Sequence, residues 1–408
     1  MRADESSQSE FETPGFALRA VTMAAAQIAA GRLEVVLPGG GRRVFEGKQP
    51  GPTATLIFNH PRAARRLLFG GNIGFAEAYM DGDWDSPDLA ALLELAACNE
   101  AAFDALHYGK ASAFAPAFNW ARRMWHALRA NTRSGSKKNI AYHYDLGNAF
   151  YTQWLDPTMA YSSAVFERAD ADLESAQHAK FRRMAEKLDI RPGQRVLEIG
   201  CGWGGFATYL AREFQAKVTA ITVSKEQLAH TQAKVQREGL GERVEARFVD
   251  YRDVDGRFDR IASIEMFEAV GEKYWPAYFG KLRDALAPGG RAALQIITIA
   301  DRFFDSYRSG VDFIQRYIFP GGMLPSNEAL AREYERAGLQ LDRQEFFGLD
   351  YARTLAEWNQ RFQARWHEIE KLGFDRRFKR MWEFYLAYCE AGFRSRATDV
   401  TQIALVRP

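Results

Sequence analysis

A chain of 408 residues is too long for one ordinary hydrophobic core and suits two domains, or one domain with a large appended part. With 47% hydrophobic and 26% charged residues it has the balance of a globular protein, which excludes general disorder, and a formal net charge of +2 gives no reason to expect nucleic acid as a partner. Cys98, Cys201 and Cys389 stand far apart without C-x-x-C spacing, so neither a disulfide framework nor a metal site is expected, and a reducing cytoplasm is the natural setting.

The N-terminus is acidic and polar where a leader would be basic and then apolar, and no window approaches the roughly twenty apolar residues of a spanning helix. Neither export by a leader nor membrane crossing is expected, while attachment to a membrane surface stays open. From Phe16 to Ala30 the pattern predicts a helix, and strands follow at Leu33 to Leu37 and Thr55 to Phe58 with Gly/Pro-rich turns between them. Gly70 to Gly74 reads as a flexible entry, and Ser86-Pro87-Asp88 as the capped start of a helix. Residues 101–129, rich in Ala, Phe and Trp, suit an amphipathic helix or a pair of them. The short, polar, basic stretch NTRSGSKKN at 131–139 reads as a linker between an N-terminal domain at 1–130 and a second domain at 140–408.

Beyond the linker, strand-like and helix-like segments alternate. Strands are predicted at Arg195 to Ile199, Lys217 to Val223, Val244 to Phe248, Arg260 to Ile264 and Arg291 to Thr298, with helices from Phe206, from Lys225 and near Tyr274 to Leu286. That order predicts an α/β fold, a mainly parallel sheet with helices on both faces, whose ligands bind at the carboxyl ends of the strands. The first of those ends carries Gly200, Gly202, Gly204 and Gly205, a loop where the backbone can approach a ligand closely. A dinucleotide site would place a carboxylate at the end of the next strand, about twenty residues on. Here that strand runs out as Ala220-Ile221-Thr222-Val223-Ser224, which disfavours NAD.

The stretch from Arg195 to Ala207 resembles motif I of class I S-adenosylmethionine-dependent methyltransferases. The resemblance narrows to the cyclopropane-fatty-acyl-phospholipid synthase family. It is carried by YHYDLGNAFYTQWLDPTMAYSSAVF at 142–166, LEIGCGWGG at 197–205, VTAITVSKEQ at 218–227, DYRD at 250–253, MFEAVG at 266–271, YIFPGGMLPS at 317–326 and FGLDYARTLAEW at 347–358. GFAEAYMDGDW at 74–84 resembles the N-terminal domain of the phospholipid-acting branch, an extension that branches acting on carrier-bound mycolic precursors lack.

The resemblance implies a Rossmann-like methyltransferase domain behind a smaller N-terminal α+β, helical lipid-binding domain. It implies that Gly200, Cys201, Gly202, Trp203 and Gly204 cradle S-adenosylmethionine, with Tyr161 and Ser162 at its methionine end. Thr222, Val223 and Gln227 would then neighbour ribose and adenine, and Tyr251 and Arg252 flank adenine. His143 and Tyr144 begin a segment that would lie over the cofactor as a lid.

Methyl transfer to a lipid double bond leaves a cation whose charge must be stabilised and whose proton must be removed. In the family a bicarbonate does this, held by a Cys, a Glu, a His, the backbone of an Ile, and a Tyr. Carried over, those positions are Ser163, Glu268, Gln295, Ile297 and Tyr351. Ser and Gln still offer hydrogen bonds, but Gln cannot take a positive charge as His does, which argues against bicarbonate held in the family manner. Ala269 also departs from the family, which has a His there. Loss of a proton from the new methyl closes a cyclopropane, and loss from a neighbouring chain carbon gives a methyl-branched alkene. The altered base site favours the branched product.

Aromatic side chains in 303–319 and 358–393 are expected to wall an acyl-chain pocket, although ordinary core accounts for most of them singly. Basic clusters at Arg62/Arg65/Arg66, Arg133/Lys137/Lys138 and Arg376/Arg377/Lys379/Arg380 are candidates for anionic headgroups. The expectation is a cytoplasmic enzyme, peripheral to the inner face of the membrane, acting on an unsaturated phospholipid, with a homodimer implied by the resemblance. Competing readings are a non-catalytic lipid-binding paralogue and a methyltransferase on a free or carrier-bound acyl chain.

Overall fold

The computed structural model of the chain describes residues 15–103 and 146–408. Two compact units divide between Ser112 and Ala113. The linker at 131–139, the helical expectation for most of 101–129, the cluster Arg133/Lys137/Lys138, and His143 and Tyr144 lie outside the described residues.

In the N-terminal unit helix α1 (Phe16–Ala25) leads into strands β1 (Ala30–Val36), β2 (Arg42–Glu46) and β3 (Gln49–Phe58). Helix α2 (Arg62–Met80), a short β4 (Trp84–Asp85) and α3 (Leu89–Cys98) follow. The sheet order is β2-β1-β3-β4, with β1 and β3 parallel and the other pairs antiparallel. The amide of Asn99, just after α3, ties the helix to the sheet: its Oδ1 accepts from the Ala29 and Ala30 N–H groups and its Nδ2 donates to the Ala30 and Leu95 carbonyls.

Two expectations change here. The glycines at 70–74 are not a flexible entry but lie inside α2, which breaks only at Gly71 (φ 58°). The break lets the two halves of the helix meet so closely that a Cβ on Gly74 would sit 2.2 Å from the Arg66 carbonyl oxygen. Arg62 and Arg66 are also not a free basic cluster, because both pair with the buried carboxylate of Asp83. The expected cap is present, with the Asp88 carboxylate accepting from the Ala91 N–H at 2.9 Å.

The second unit begins, within the described residues, with α4 (Asn148–Tyr151) and α5 (Leu173–Leu188). It continues through β5 (Arg195–Ile199), α6 (Gly205–Glu213), β6 (Lys217–Thr222), α7 (Lys225–Arg237), β7 (Val244–Phe248), β8 (Phe258–Ile264), α8 (Trp275–Ala285) and β9 (Leu286–Ile299). The C-terminal part adds α9 (Asp301–Ser309), α10 (Asn327–Arg336), β10 (Gln340–Phe346), α11 (Gly348–Ala364), α12 (Trp366–Glu370), α13 (Arg376–Arg394) and β11 (Thr398–Val406).

The sheet order is β10-β11-β9-β8-β5-β6-β7, with β11 reversed against both of its neighbours. Alternation along β5 builds a core on each face. Leu197 and Ile199 pack with α8 and α10, whereas Val196 packs with α5 and α6. All five predicted strands are present, β5 and β7 to the residue and β6, β8 and β9 with shifted ends, and both faces are covered as the alternation predicts. The crossovers therefore bring the carboxyl ends of β5, β6, β8 and β9 to one rim, where the motif residues gather.

Candidate active site

Strand β5 ends in the glycine loop, and each turn of that loop has a reason. Gly204 (φ 82°) starts α6, and a Cβ there would lie 2.7 Å from the Thr231 methyl of α7, so only glycine lets loop and helix meet. Gly202 (φ 53°) differs, since the space its side chain would fill is open to a ligand. The Trp203 indole is buried and donates to the Asn148 amide oxygen at 2.6 Å, while the buried Cys201 thiol is held protonated by desolvation. Glu198, at the end of β5, is fully buried with its acid pushed up to about 8 by desolvation, and its Oε2 has no hydrogen-bond partner among the described residues.

The residues carried over for the nucleoside also converge at this rim. The buried Thr222 hydroxyl donates to the Gln227 side-chain oxygen at 2.8 Å, and Ser224 caps α7, with Val223 between them. Tyr251 and Arg252 form a 3-10 turn after β7; the Arg252 guanidinium pairs with Asp250, and the half-buried Tyr251 phenol is pushed up to about 12 by desolvation. On the other side Tyr161 and Tyr385 share a hydrogen bond of 2.7 Å between their hydroxyls, and Ser162 accepts one from Lys180 at 2.6 Å. The open side of Gly202, the positive-φ loop and this polar surround fit the methionine and nucleoside parts of S-adenosylmethionine.

The five residues carried over for an anion are brought together, but around a side chain that sequence reasoning missed. Glu265, one residue past β8, is half-buried, with its carboxyl group turned inward. Its Oε1 accepts from the Ser163 N–H at 2.8 Å and from the Gln295 amide at 2.8 Å, and its Oε2 accepts from the Tyr351 hydroxyl at 2.9 Å. Gln295 is oriented by β11, where the Gln402 amide donates to its oxygen at 2.9 Å and leaves the NH₂ to face Glu265. The Ile297 N–H, two residues along β9 on the same face, donates to Glu268 Oε1 at 2.5 Å. Tyr351 lies within the first turn of α11, which holds its hydroxyl toward Glu265.

The two carboxylates are unequal. Glu268 is pushed up to about 8 by burial, with the charge of Glu265 adding to the effect, so it holds its proton at neutral pH. Glu265 is also raised by burial, but Gln295, Ser163, Lys180 and Tyr351 all oppose that rise. Glu268 is therefore the more readily protonated of the two, and Glu265 takes most of the available donors.

Aromatic rings pack beside Tyr351, the hydroxyl partner of Glu265. Tyr351 stacks on Phe393 with ring centres 4.6 Å apart, Tyr161 lies 5.2 Å from Trp358, and Phe313 meets Phe384 at 4.8 Å. Most of these rings are core. No metal-binding group of His, Cys, Asp and Glu occurs among the described residues.

A seven-stranded sheet with one reversed strand and a glycine loop after the first of its strands in the chain is the fold of class I S-adenosylmethionine-dependent methyltransferases. The model for the mycolic acid cyclopropane synthetase family matches residues 131–403, and the chain belongs to that family. It is 39% identical to a tuberculostearic acid methyltransferase, UfaA1, of Mycobacterium tuberculosis, over 87% of this chain and 84% of that one. It is 38% identical to the cyclopropane-fatty-acyl-phospholipid synthase of Escherichia coli, over 87% of this chain and 88% of that one. The structure of mycolic acid cyclopropane synthase CmaA1 with SAH and CTAB superposes with a TM-score of 0.63 at 30% identity, covering 66% of this chain and 98% of its own. The protein is thus an S-adenosylmethionine-dependent methyltransferase, and one-carbon transfer to lipid acyl chains is what these relatives' names have in common.

Proposed function

We propose that this enzyme methylates a double bond in an unsaturated phospholipid acyl chain and releases a methyl-branched unsaturated chain, with Glu265 as its built-in proton acceptor. The observation that carries this reading is the Glu265 carboxylate, which takes the hydrogen bonds of Ser163, Gln295 and Tyr351, three of the groups carried over as bicarbonate ligands. A pocket whose donors already serve an internal carboxylate has little left for a second anion.

Gly200, Gly202, Trp203 and Gly204, with Tyr161, Ser162, Thr222, Gln227, Tyr251 and Arg252, would hold S-adenosylmethionine. When bound, that molecule supplies an electrophilic methyl group to the alkene. The chain's own groups do the rest. The aromatic walls around Tyr351 and Trp358 exclude water from the charged acyl carbon, and the fixed Glu265 carboxylate stabilises it. A Glu265 oxygen then takes a proton from a carbon next to the cation, and that C–H electron pair closes the new double bond. Glu268, carrying its own proton, does not compete for it.

A phospholipid acceptor is supported by the E. coli relative, whose match extends over most of this chain. Action at a membrane surface is supported by exposed Phe16 and Phe69 in the N-terminal unit, and a homodimer by the family resemblance alone; among the described residues no helix is long and apolar enough to cross a bilayer. The test is reaction of the full chain with methyl-labelled S-adenosylmethionine and vesicles of a monounsaturated phospholipid, followed by NMR and mass spectrometry of the released fatty acids. The expected product keeps a reducible double bond and carries the label as a branch. A saturated ring carrying the label overturns the reading.

A further inference from the structure

Helix α5 places a fully buried lysine beside the site. The Lys180 ammonium has one hydrogen-bond partner among the described residues, the Ser162 hydroxyl at 2.6 Å, although it has three protons to donate. One turn earlier on the same helix, the Gln177 amide donates to the Ser162 carbonyl at 2.9 Å. The next residue, Ser163, presents its N–H to Glu265. A single helix therefore grips both the side chain and the backbone of the residue that precedes the donor to the carboxylate.

The electrostatics point the same way. Three buried carboxyl groups from separate parts of the unit face Lys180: Glu265 after β8, Asp156 before α5, and Glu198 at the end of β5, with Glu265 exerting the largest pull. Glu265 itself is faced by Lys180 from α5, Tyr351 from α11, Cys389 from α13 and Glu268 from the turn after β8. Lys180 is the cation of that set. A carboxylate buried this deeply takes up a proton unless a counter-charge opposes it.

We propose that Lys180 is a positioning residue of the reaction: its buried ammonium is the counter-charge that keeps Glu265 ionised and, through Ser162, fixes the Ser163 amide aimed at it. This rests on Glu265 being the proton acceptor. No contact between Lys180 and the acyl chain is needed. Desolvation brings Lys180 down to about 8, so below that value its charge is in place where Glu265 would otherwise hold its proton. The acid limb of the pH profile, a rise as Glu265 ionises, is therefore set by the charge on Lys180.

The experiment measures kcat/KM from pH 5 to 10 for the full-length wild type and for K180M, K180R and E265Q, on vesicles of dioleoyl phosphatidylglycerol, with the melting temperature and SAH affinity of each as a check on folding. In K180M the acid limb is expected to move up by about one pH unit. In K180R, whose guanidinium keeps the positive charge, the acid limb is expected to stay in place. An acid limb unmoved in a folded K180M overturns the proposal, as does a K180R acid limb that moves as far as that of K180M. E265Q separates the two failures. If it keeps wild-type turnover, the proton-acceptor reading is wrong and the proposal falls with it. If E265Q is inactive while the K180M acid limb stays in place, Lys180 alone has been misassigned.

Discussion

Glu265 sits with φ at 47°, a backbone conformation that costs a side-chain-bearing residue about 1 kcal/mol, and its carboxyl group is buried as well. Three hydrogen bonds and a nearby ammonium offset that cost. Glutamine at this position keeps the shape but cannot accept a proton, so E265Q is expected to lower turnover by roughly 10²- to 10⁴-fold while SAH affinity, read by calorimetry, stays close to wild type. Glycine relieves the backbone and empties the space the carboxylate fills. Adding bicarbonate is then expected to restore part of the turnover to E265G and none to E265Q; equal responses of the two would count against a shared anion position. The site was legible in part. Ser163, Glu268, Gln295, Ile297 and Tyr351 could be carried over by motif, and they do converge. Glu265 could not, because residue-by-residue transfer has no place for a group that replaces a ligand instead of holding one. The available signal was an acid ending the apolar strand Phe258–Ile264 at the ligand-facing rim.

The glycine loop separates packing from binding at the scale of one strand–turn–helix element. Alanine at Gly204 meets both a left-handed backbone and the Thr231 methyl at 2.7 Å, so G204A is expected to lose about 2 kcal/mol or more of stability, seen as a lower melting temperature. G202A meets the backbone cost alone, about 1 kcal/mol, but its methyl enters the space left for a ligand. It is expected to weaken SAH binding more than it lowers the melting temperature; the opposite order would mean that Gly202 packs against protein. Parallel strands were readable because hydrophobic runs alternate with helical spacing. Strand β10 was not, since every residue of Gln340–Phe346 is exposed and its polar pattern resembles a loop, and the reversed β11 follows a helix in the same way as any parallel strand. The break of α2 at Gly71 was hidden as well, because two glycines in a row read as a loop until the close approach at Gly74 is seen.

At the scale of the whole molecule, the chain consists of two compact units. The second carries a transferase fold that nearly spans the mycolic acid cyclopropane synthases of known structure, while the relatives that also match most of the remaining chain include a phospholipid-acting synthase. In the catalytic unit, elements distant in sequence close on one carboxylate: the segment at Ser163, α5 at Lys180, β9 at Gln295 and α11 at Tyr351. An enzyme with its own proton acceptor has no need of a dissolved one. The most direct measurement is turnover of the full-length wild type on monounsaturated phospholipid vesicles in buffer stripped of carbon dioxide, and again with millimolar bicarbonate added. The expected result is the same rate and the same branched product in both. A rate that collapses on depletion and returns with bicarbonate would contradict Glu265 as the built-in base.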